Sequence, residues 1–324
     1  MRFAAFSTPA APFSGRDGAK LGQFPRAGKS HSAMTRISVC LTHYDRPEKL
    51  RATLRSLAAQ TRPPDEVFVW DDCSPGDPTN VAQAFRFHFK RFVYHRNERN
   101  LGMPGNLNAV LALAGGDYVA NLHDADIYDA TLLEKWARAL DAHPTAGFVF
   151  CRVSGRNKSQ DGRLQGCAPL TAGREFNRRY LLNAWRGSSP VWGTVMARRS
   201  LYRRLLPFDP RFGCVADVDM WMRLSLESDV AFVDEALIEA DVDSHFVRGV
   251  NWPMVHALRR LHGENVTRFS AATGRARLPL RLRHALNFAW LYALCLASLF
   301  RRGRWSEFSG AWNASMGAGK NDRR

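Results

Sequence analysis

From residue 36 onward the chain alternates between short apolar runs and stretches with helical spacing of leucines. "RISVCLT" (36–42) is an apolar, β-rich run of strand length. Pro47 then opens a stretch whose Leu50, Leu54 and Leu57 fall on one helical face. "EVFVWDD" (66–72) predicts a second strand that ends in two aspartates, and "RFVYHR" (91–96) a third. Residues 104–114 predict a short helix, and "GDYVANL" (116–122) a fourth strand. "TLLE" (131–134) has the capping-box pattern, and the helix it starts turns Leu133, Trp136 and Leu140 inward before ending near Pro144. "GFVFCRV" (147–153) predicts a fifth strand. This βαβα order predicts an α/β fold, a mostly parallel central sheet flanked by helices on both faces.

Sheets of that kind bind ligands outside the carboxyl ends of their strands. Thr42–Arg46, Asp71–Ser74 and Asp124–Asp126 all fall at such ends. Within "NLHDADIYDA" (121–130), two carboxylates one residue apart can share a hard divalent cation. Without one they repel, and one of them takes up a proton more readily. The plainer alternative is a solvated turn in which Asp126 or Asp129 caps the following helix. No GxxxxGK[ST] and no GxGxxG after the first strand is found, so glycine-rich phosphate cradles are absent. Acidic loops in their place suggest that a metal, rather than backbone amides, neutralises phosphates.

The segments "ISVCLTHYDRPEKLRATLRSLAAQT" (37–61), "EVFVWDDCS" (66–74), "RNLG" (99–102), "GDYVANLHDADIY" (116–128) and "ADVDMWMRL" (216–224) resemble, in order and spacing, the family 2 glycosyltransferases of the GT-A fold. The resemblance covers roughly residues 36 to 250. It implies a GT-A (nucleotide-diphospho-sugar transferase) fold and an inverting, Mg²⁺- or Mn²⁺-dependent transfer of a sugar from a nucleotide-sugar donor to a hydroxyl acceptor. It places Thr42, Tyr44 and Asp72 around the nucleotide base and ribose. Asp124 and Asp126 match the DxD that binds ribose and, through the metal, the diphosphate. Asp217 matches the catalytic base, with Asp219 as its neighbour and rival; alone, Asp217 would also serve as a cap or dipole partner at a helix start. His245, in "DSHFVRG", matches a histidine that contacts metal or diphosphate in some relatives, with Arg248 beside it. The chain departs from the family pattern at Cys73, where a glycine is usual, and at Ala216, where an acidic residue is common. A QxxRW acceptor motif is missing, since "RRGRW" (301–305) carries Arg301 where Gln is needed, which argues against a processive polysaccharide synthase.

Charge adds partners to this picture. The 324 residues hold 46 Lys+Arg against 30 Asp+Glu, a formal +16, and only seven of the basic residues are lysine. Such an arginine excess suits nucleotides, nucleic acid or acidic lipid surfaces, or reflects an arginine-rich genome. A nucleic-acid-binding or non-catalytic scaffold protein is the alternative outside enzymes, and nucleotidyl transfer the alternative within them. The bases are spread along the chain with no nucleic-acid-binding motif, so no nucleic acid is expected. Six scattered cysteines form no zinc or disulfide pattern, which fits a reducing cytosol.

Residues 1–34 are rich in Ala, Gly, Pro and Ser and read as a disordered extension, with Met34 an alternative translation start. Residues 35–250 form the expected catalytic domain and 251–324 a helical tail. Within that tail the longest uncharged run, 285–300, is 16 residues against the roughly 20 of a membrane span. It reads either as a hairpin packed on the catalytic domain or as a peripheral helix on an anionic membrane. Both suit a cytoplasmic enzyme of cell-envelope polysaccharide or glycolipid assembly with a saccharide or lipid-linked acceptor. Donor and acceptor identity rest on the variable stretch around 154–195 and are not legible.

Overall fold

A computed structural model describes residues 35–155, 162–182, 189–241, 252–301 and 303. The first part alternates strand and helix: β1 (Ile37–His43), α1 (Pro47–Ala58), β2 (Glu66–Asp71), α2 (Thr79–Gln83), β3 (Phe92–Arg96), α3 (Gly102–Leu111) and β4 (Tyr118–His123). After it come β5 (Ile127–Tyr128), α4 (Leu132–Ala142), β6 (Ala146–Ser154), β7 (Leu170–Thr171), α5 (Gly173–Phe176), β8 (Val195–Arg198) and α6 (Arg199–Leu205). The described chain ends with a 3₁₀ segment (Pro210–Val215), α7 (Ala216–Glu227), β9 (Asp229–Glu239), α8 (Trp252–Thr273) and α9 (Arg277–Arg301).

One sheet runs in the order β3-β2-β1-β4-β8-β6-β9-β5, with β7 on β9. The β3-β2-β1-β4 half is parallel, as the βαβα order requires. β8 then enters antiparallel between β4 and β6, while β6 and β9 run parallel. The expected fold class stands; β8 and the eleven-residue β9 are additions that the hydrophobic runs do not announce.

Side-chain alternation explains why the sheet is covered on both faces. Ile37, Val39, Leu41, Val67 and Val69 face Leu50, Leu54 and Leu57 of α1 and Trp136 and Leu140 of α4. Cys40, Phe68, Trp70 and Phe148 face the other layer, with Leu107 and Val110 of α3 and Trp221 of α7. The expected inward residues Leu50, Leu54, Leu57, Leu133, Trp136 and Leu140 are at most 1% exposed. The expected capping box does not form. Thr131 makes no side-chain cap at α4; its amide and hydroxyl instead donate to Asp129 Oδ1 at 2.9 and 2.6 Å. Gln60 Oε1 of the preceding layer accepts from Leu133 N at 3.0 Å, so a tertiary contact replaces the local one. Glu134 is drawn away to Thr61 and Arg138.

At the C-terminal end α8 packs against the 3₁₀ segment and α7, and α9 runs back along α8. The hairpin reading of the tail thus describes these two helices. No described helix is long and apolar enough to cross a membrane.

Candidate functional site

Parallel register brings the three polar clusters to one edge. Thr42 lies opposite both Trp70 and His123, and His43 opposite Asp71, so β2, β1 and β4 end side by side. The loops that leave these ends carry the candidate residues.

On the β2 side the two aspartates have different work. Asp71 is fully buried, accepts from the Ser74 hydroxyl, from Ser74 N at 3.2 Å and from the Tyr94 hydroxyl at 3.3 Å, and pairs with the Arg96 guanidinium, Nε at 3.2 Å. Asp72 Oδ1 accepts from Leu101 N at 2.7 Å and Asn97 Nδ2 at 3.1 Å, which ties the loop to the start of α3. Cys73, directly after them, adopts φ +61°, the left-handed region that glycine enters freely. The cysteine thus adopts a conformation that costs about 1 kcal/mol for its Cβ, at the position where the resemblance implies glycine. Tyr44 is 43% exposed above this edge and Thr42 half-buried in it.

On the β4 side Asp124 is almost fully buried and held from the end of β1. Its Oδ2 meets His43 Nδ1 at 2.6 Å and accepts from Tyr44 N at 3.3 Å; its Oδ1 accepts from Arg46 Nη2 at 2.7 Å. Arg46 therefore already neutralises this carboxylate. Asp126 is equally buried but meets no guanidinium among the described residues: its Oδ2 accepts from Trp192 Nε1 at 2.8 Å, and His123 Nδ1 stands at 3.7 Å. Burial pushes the Asp126 carboxyl above the usual carboxylate range, against the pull of His123 and Trp192. Asp126 is no helix cap; Asp129 Oδ1 accepts from the amide of Thr131, just before α4. The backbone of the turn is fixed by Thr53 Oγ1 donating to Asp126 O at 2.8 Å. The buried Tyr128 hydroxyl donates to His123 O and accepts from His123 N, both at 2.9 Å.

Asp217 is the second residue of α7, half-buried, with Oδ1 accepting from Val218 N at 2.8 Å. Its place relative to β4 is fixed through Gly193, just before β8. A Cβ on Gly193 would lie 2.3 Å from His123 Cε1 and 3.3 Å from Asp217 Oδ2. The β4 turn and the start of α7 thus flank one point, and only glycine leaves it open. Asp219, the rival carboxylate, faces elsewhere. It is fully buried and accepts from Arg223 Nε at 2.8 Å, Arg268 Nη1 at 2.6 Å and Asn265 Nδ2 at 2.8 Å, bolting α7 to α8.

The structure thus brings Thr42, Tyr44, Asp72, Asp124, Asp126 and Asp217 to one edge of the sheet. His245 and Arg248 lie outside the described residues, as does part of the 154–195 stretch. No group of three or more His, Cys, Asp or Glu is arranged to hold a metal among the described residues. Sequence reading missed His43, Trp192, Gly193 and the role of Arg46. Arg46 stood inside the polar cluster after β1, whereas nothing in "SPVWGT" (189–194) marks Trp192 or Gly193 beforehand.

The geometry can be set beside known proteins. Residues 38–206 match the model of the family described as Glycosyl transferase family 2. EpsE of Bacillus subtilis (strain 168) is 25% identical over 219 residues, 64% of this chain and 74% of that protein. Two further curated relatives match over only 29% and 65% of their own length. Among solved structures, residues 1–349 of Staphylococcus aureus TarS in complex with UDP superpose with a TM-score of 0.54 at 20% identity, covering 71% of this chain and 65% of that one. The mannosyltransferase PcManGT from Pyrobaculum calidifontis, in complex with GDP-Man and Mn²⁺, gives 0.50 at 17% identity over 90% and 89%. At these identities the structural likeness speaks for the fold. The family match spans more than half of the sequence, and with the shared fold it leads to one statement: this chain belongs to glycosyl transferase family 2.

Proposed function

We propose that the protein transfers a sugar, with inversion, from a nucleotide-diphosphate-sugar to a hydroxyl acceptor. The observation that carries the reading is the meeting of the β4 turn and Asp217 at Gly193, beside the Asp72 and Asp124 loops. Thr42, Tyr44 and Asp72 would take the nucleotide and Asp124 its ribose. Family membership favours this over nucleotidyl transfer.

Two buried carboxylates of the β4 turn offer the hard oxygens that Mg²⁺ or Mn²⁺ prefers, with phosphate oxygens and water completing its shell. Asp126 fits that group well: burial disfavours its ionised form, and a cation would restore it. Asp124 would share its charge between the metal and Arg46. A bound divalent cation supplies positive charge to the diphosphate leaving group. His245 is a further candidate ligand.

Asp217 acts as general base. Its carboxylate takes the acceptor hydroxyl's proton as that oxygen attacks the anomeric carbon opposite the diphosphate, and a single displacement inverts the centre. Asp219 is unsuited because its oxygens already serve Arg223, Arg268 and Asn265. An acceptor of saccharide or lipid-linked type, in cell-envelope polysaccharide or glycolipid assembly at the cytoplasmic membrane face, suits the strongly basic chain.

Thermal-shift titration with UDP-, GDP-, dTDP- and CMP-sugars, with and without Mn²⁺, tests the donor site. One nucleotide should stabilise the wild type in a Mn²⁺-dependent way, and Asp126→Ala should abolish that dependence. Wild-type indifference to every nucleotide, or an unchanged response in the variant, rejects the reading. With the donor known, Asp217→Asn should lose about 10²–10⁴-fold in kcat with donor binding intact.

A further inference from the structure

We infer that the outward face of α9 docks the protein on an anionic lipid surface. The inference extends the membrane-side location just proposed, but it rests on α9 itself and not on sugar transfer.

α9 is apolar on two opposite sides. One side packs on α8: His284 and His262 flank Phe288 with ring centroids 4.8 and 5.6 Å away, and the Tyr292 hydroxyl hydrogen-bonds His256 Nδ1 at 2.7 Å. The opposite side carries Leu278, Leu282, Leu286, Trp290 and Leu294 at every fourth position, with Phe300 beyond them. Leu278 is 77% exposed, Leu286 62% and Trp290 55%. The residues between them on that side, Ala285, Ala289, Ala293 and Ala297, are exposed as well, and the charged side chains there are Arg283 and Arg301, along the Trp290–Leu294 flank. From Leu278 to Phe300 it runs for about 33 Å at the rise of an α-helix. A stripe of that length far exceeds the scattered apolar residues of an ordinary surface.

Charge identifies the occupant. α9 contains Arg277, Arg281, Arg283 and Arg301 and not one Asp or Glu. Arg283 and Arg301 border the stripe at helical spacing, where they would reach anionic headgroups while the leucines and Trp290 enter the acyl boundary. A second copy fits worse. Two-fold antiparallel pairing through this face would bring the three arginines at one end of α9 onto the arginine at the other end of its mate, with no carboxylate on either helix to pair with them. Crossing a bilayer is not required, and no described helix has the length and apolarity for it. α8 links this face to the site, since Asn265 and Arg268 of α8 hold Asp219, two residues after Asp217.

Vesicle flotation of the full chain tests the inference. Vesicles of phosphatidylcholine are compared with vesicles that also contain phosphatidylglycerol, over a salt series. The chain should float with the anionic vesicles, less so as salt rises. Leu286→Glu with Trp290→Glu should cut partitioning at least about tenfold. Arg281→Gln and Arg283→Gln should each cut it about fivefold. These side chains are exposed, so circular dichroism and Tm should not change. Equal partitioning of the Leu286/Trp290 variant overturns the inference. So does a dimer by light scattering that this variant dissociates, without vesicle binding, or binding only by a chain ended at residue 303. Flotation needs no turnover, so its failure is distinct from a failure of sugar transfer.

Discussion

Arg46 and Asp126 divide the electrostatics of the β4 turn between them. Arg46 pairs with Asp124 at 2.7 Å, while Asp126 is buried with an indole donor, a nearby imidazole and a backbone donor at Asp241. Because burial raises the Asp126 carboxyl above its unfolded value, the folded state holds that proton more tightly. Stability contributed by the protonated form is present at low pH and is lost as pH rises through the raised value. Above that raised value the ionised Asp126 therefore weakens the divalent-free protein. Asp126→Asn, which keeps an oxygen for Trp192, should raise Tm at pH 7 in the presence of chelator, at about 2–4 °C per kcal/mol for a domain of this general size. The same variant should show no Tm gain from Mn²⁺ and nucleotide. Differential scanning calorimetry with chelator and with Mn²⁺ checks both, and a lower Tm in chelator would contradict the account.

At the scale of elements, α7 separates two aspartates that are two residues apart in sequence. Helical rotation by about 200° between such positions sends Asp217 towards Gly193 and Asp219 into the α7–α8 contact. Asp219→Ala should therefore destabilise by about 3 kcal/mol, since Arg223 and Arg268 lose their counter-charge, whereas Asp217→Asn, which keeps an oxygen for Val218 N, should cost less. Urea denaturation separates the two. The α8–α9 seam has its own pH dependence. Burial lowers His262 to about 3, so it stays neutral in the fold while the unfolded chain takes up a proton near the ordinary imidazole value. Its contribution is full above that ordinary value and is lost as pH falls from about 6.5 towards 3. A Tm series between neutral and acid pH should show a steeper decline for the wild type than for His262→Leu. Parallel curves would assign the acid sensitivity elsewhere.

For the whole molecule, the proposed sugar transfer depends on one sheet edge and the proposed docking on one helix, and the two can be cut apart. A chain ended after Arg275 keeps Asn265 and Arg268 on Asp219, and so keeps the support of α7. It exposes His262 and the side of α8 that packs on Phe288, so its Tm should fall. Its nucleotide-induced Tm shift should persist while its partitioning onto anionic vesicles disappears. Loss of the nucleotide response from that chain would show that α9 supports the donor site as well. The sheet itself tolerates the mixture of directions because β8 joins the parallel half to β6 and β9, which lets α7 arrive beside β4 although about ninety residues separate them in sequence.

Much of this was legible in order along the chain. Periodicity placed the parallel half of the sheet and the inward leucines, because burial of a strand or helix face writes its period directly into local sequence. The acidic pairs at strand ends marked the site edge for the same reason: few residues other than functional ones justify like charges beside a buried strand. Tertiary structure alone decided what those carboxylates touch. Arg46 on Asp124, Trp192 on Asp126, and Gly193 between His123 and Asp217 join segments distant in sequence, so no local pattern encodes them. It also decided between Asp217 and Asp219 as the residue facing that edge, and it replaced the Thr131 capping box by Gln60. In each case a local preference worth about 1 kcal/mol was outweighed by partners that only the packed fold brings within reach.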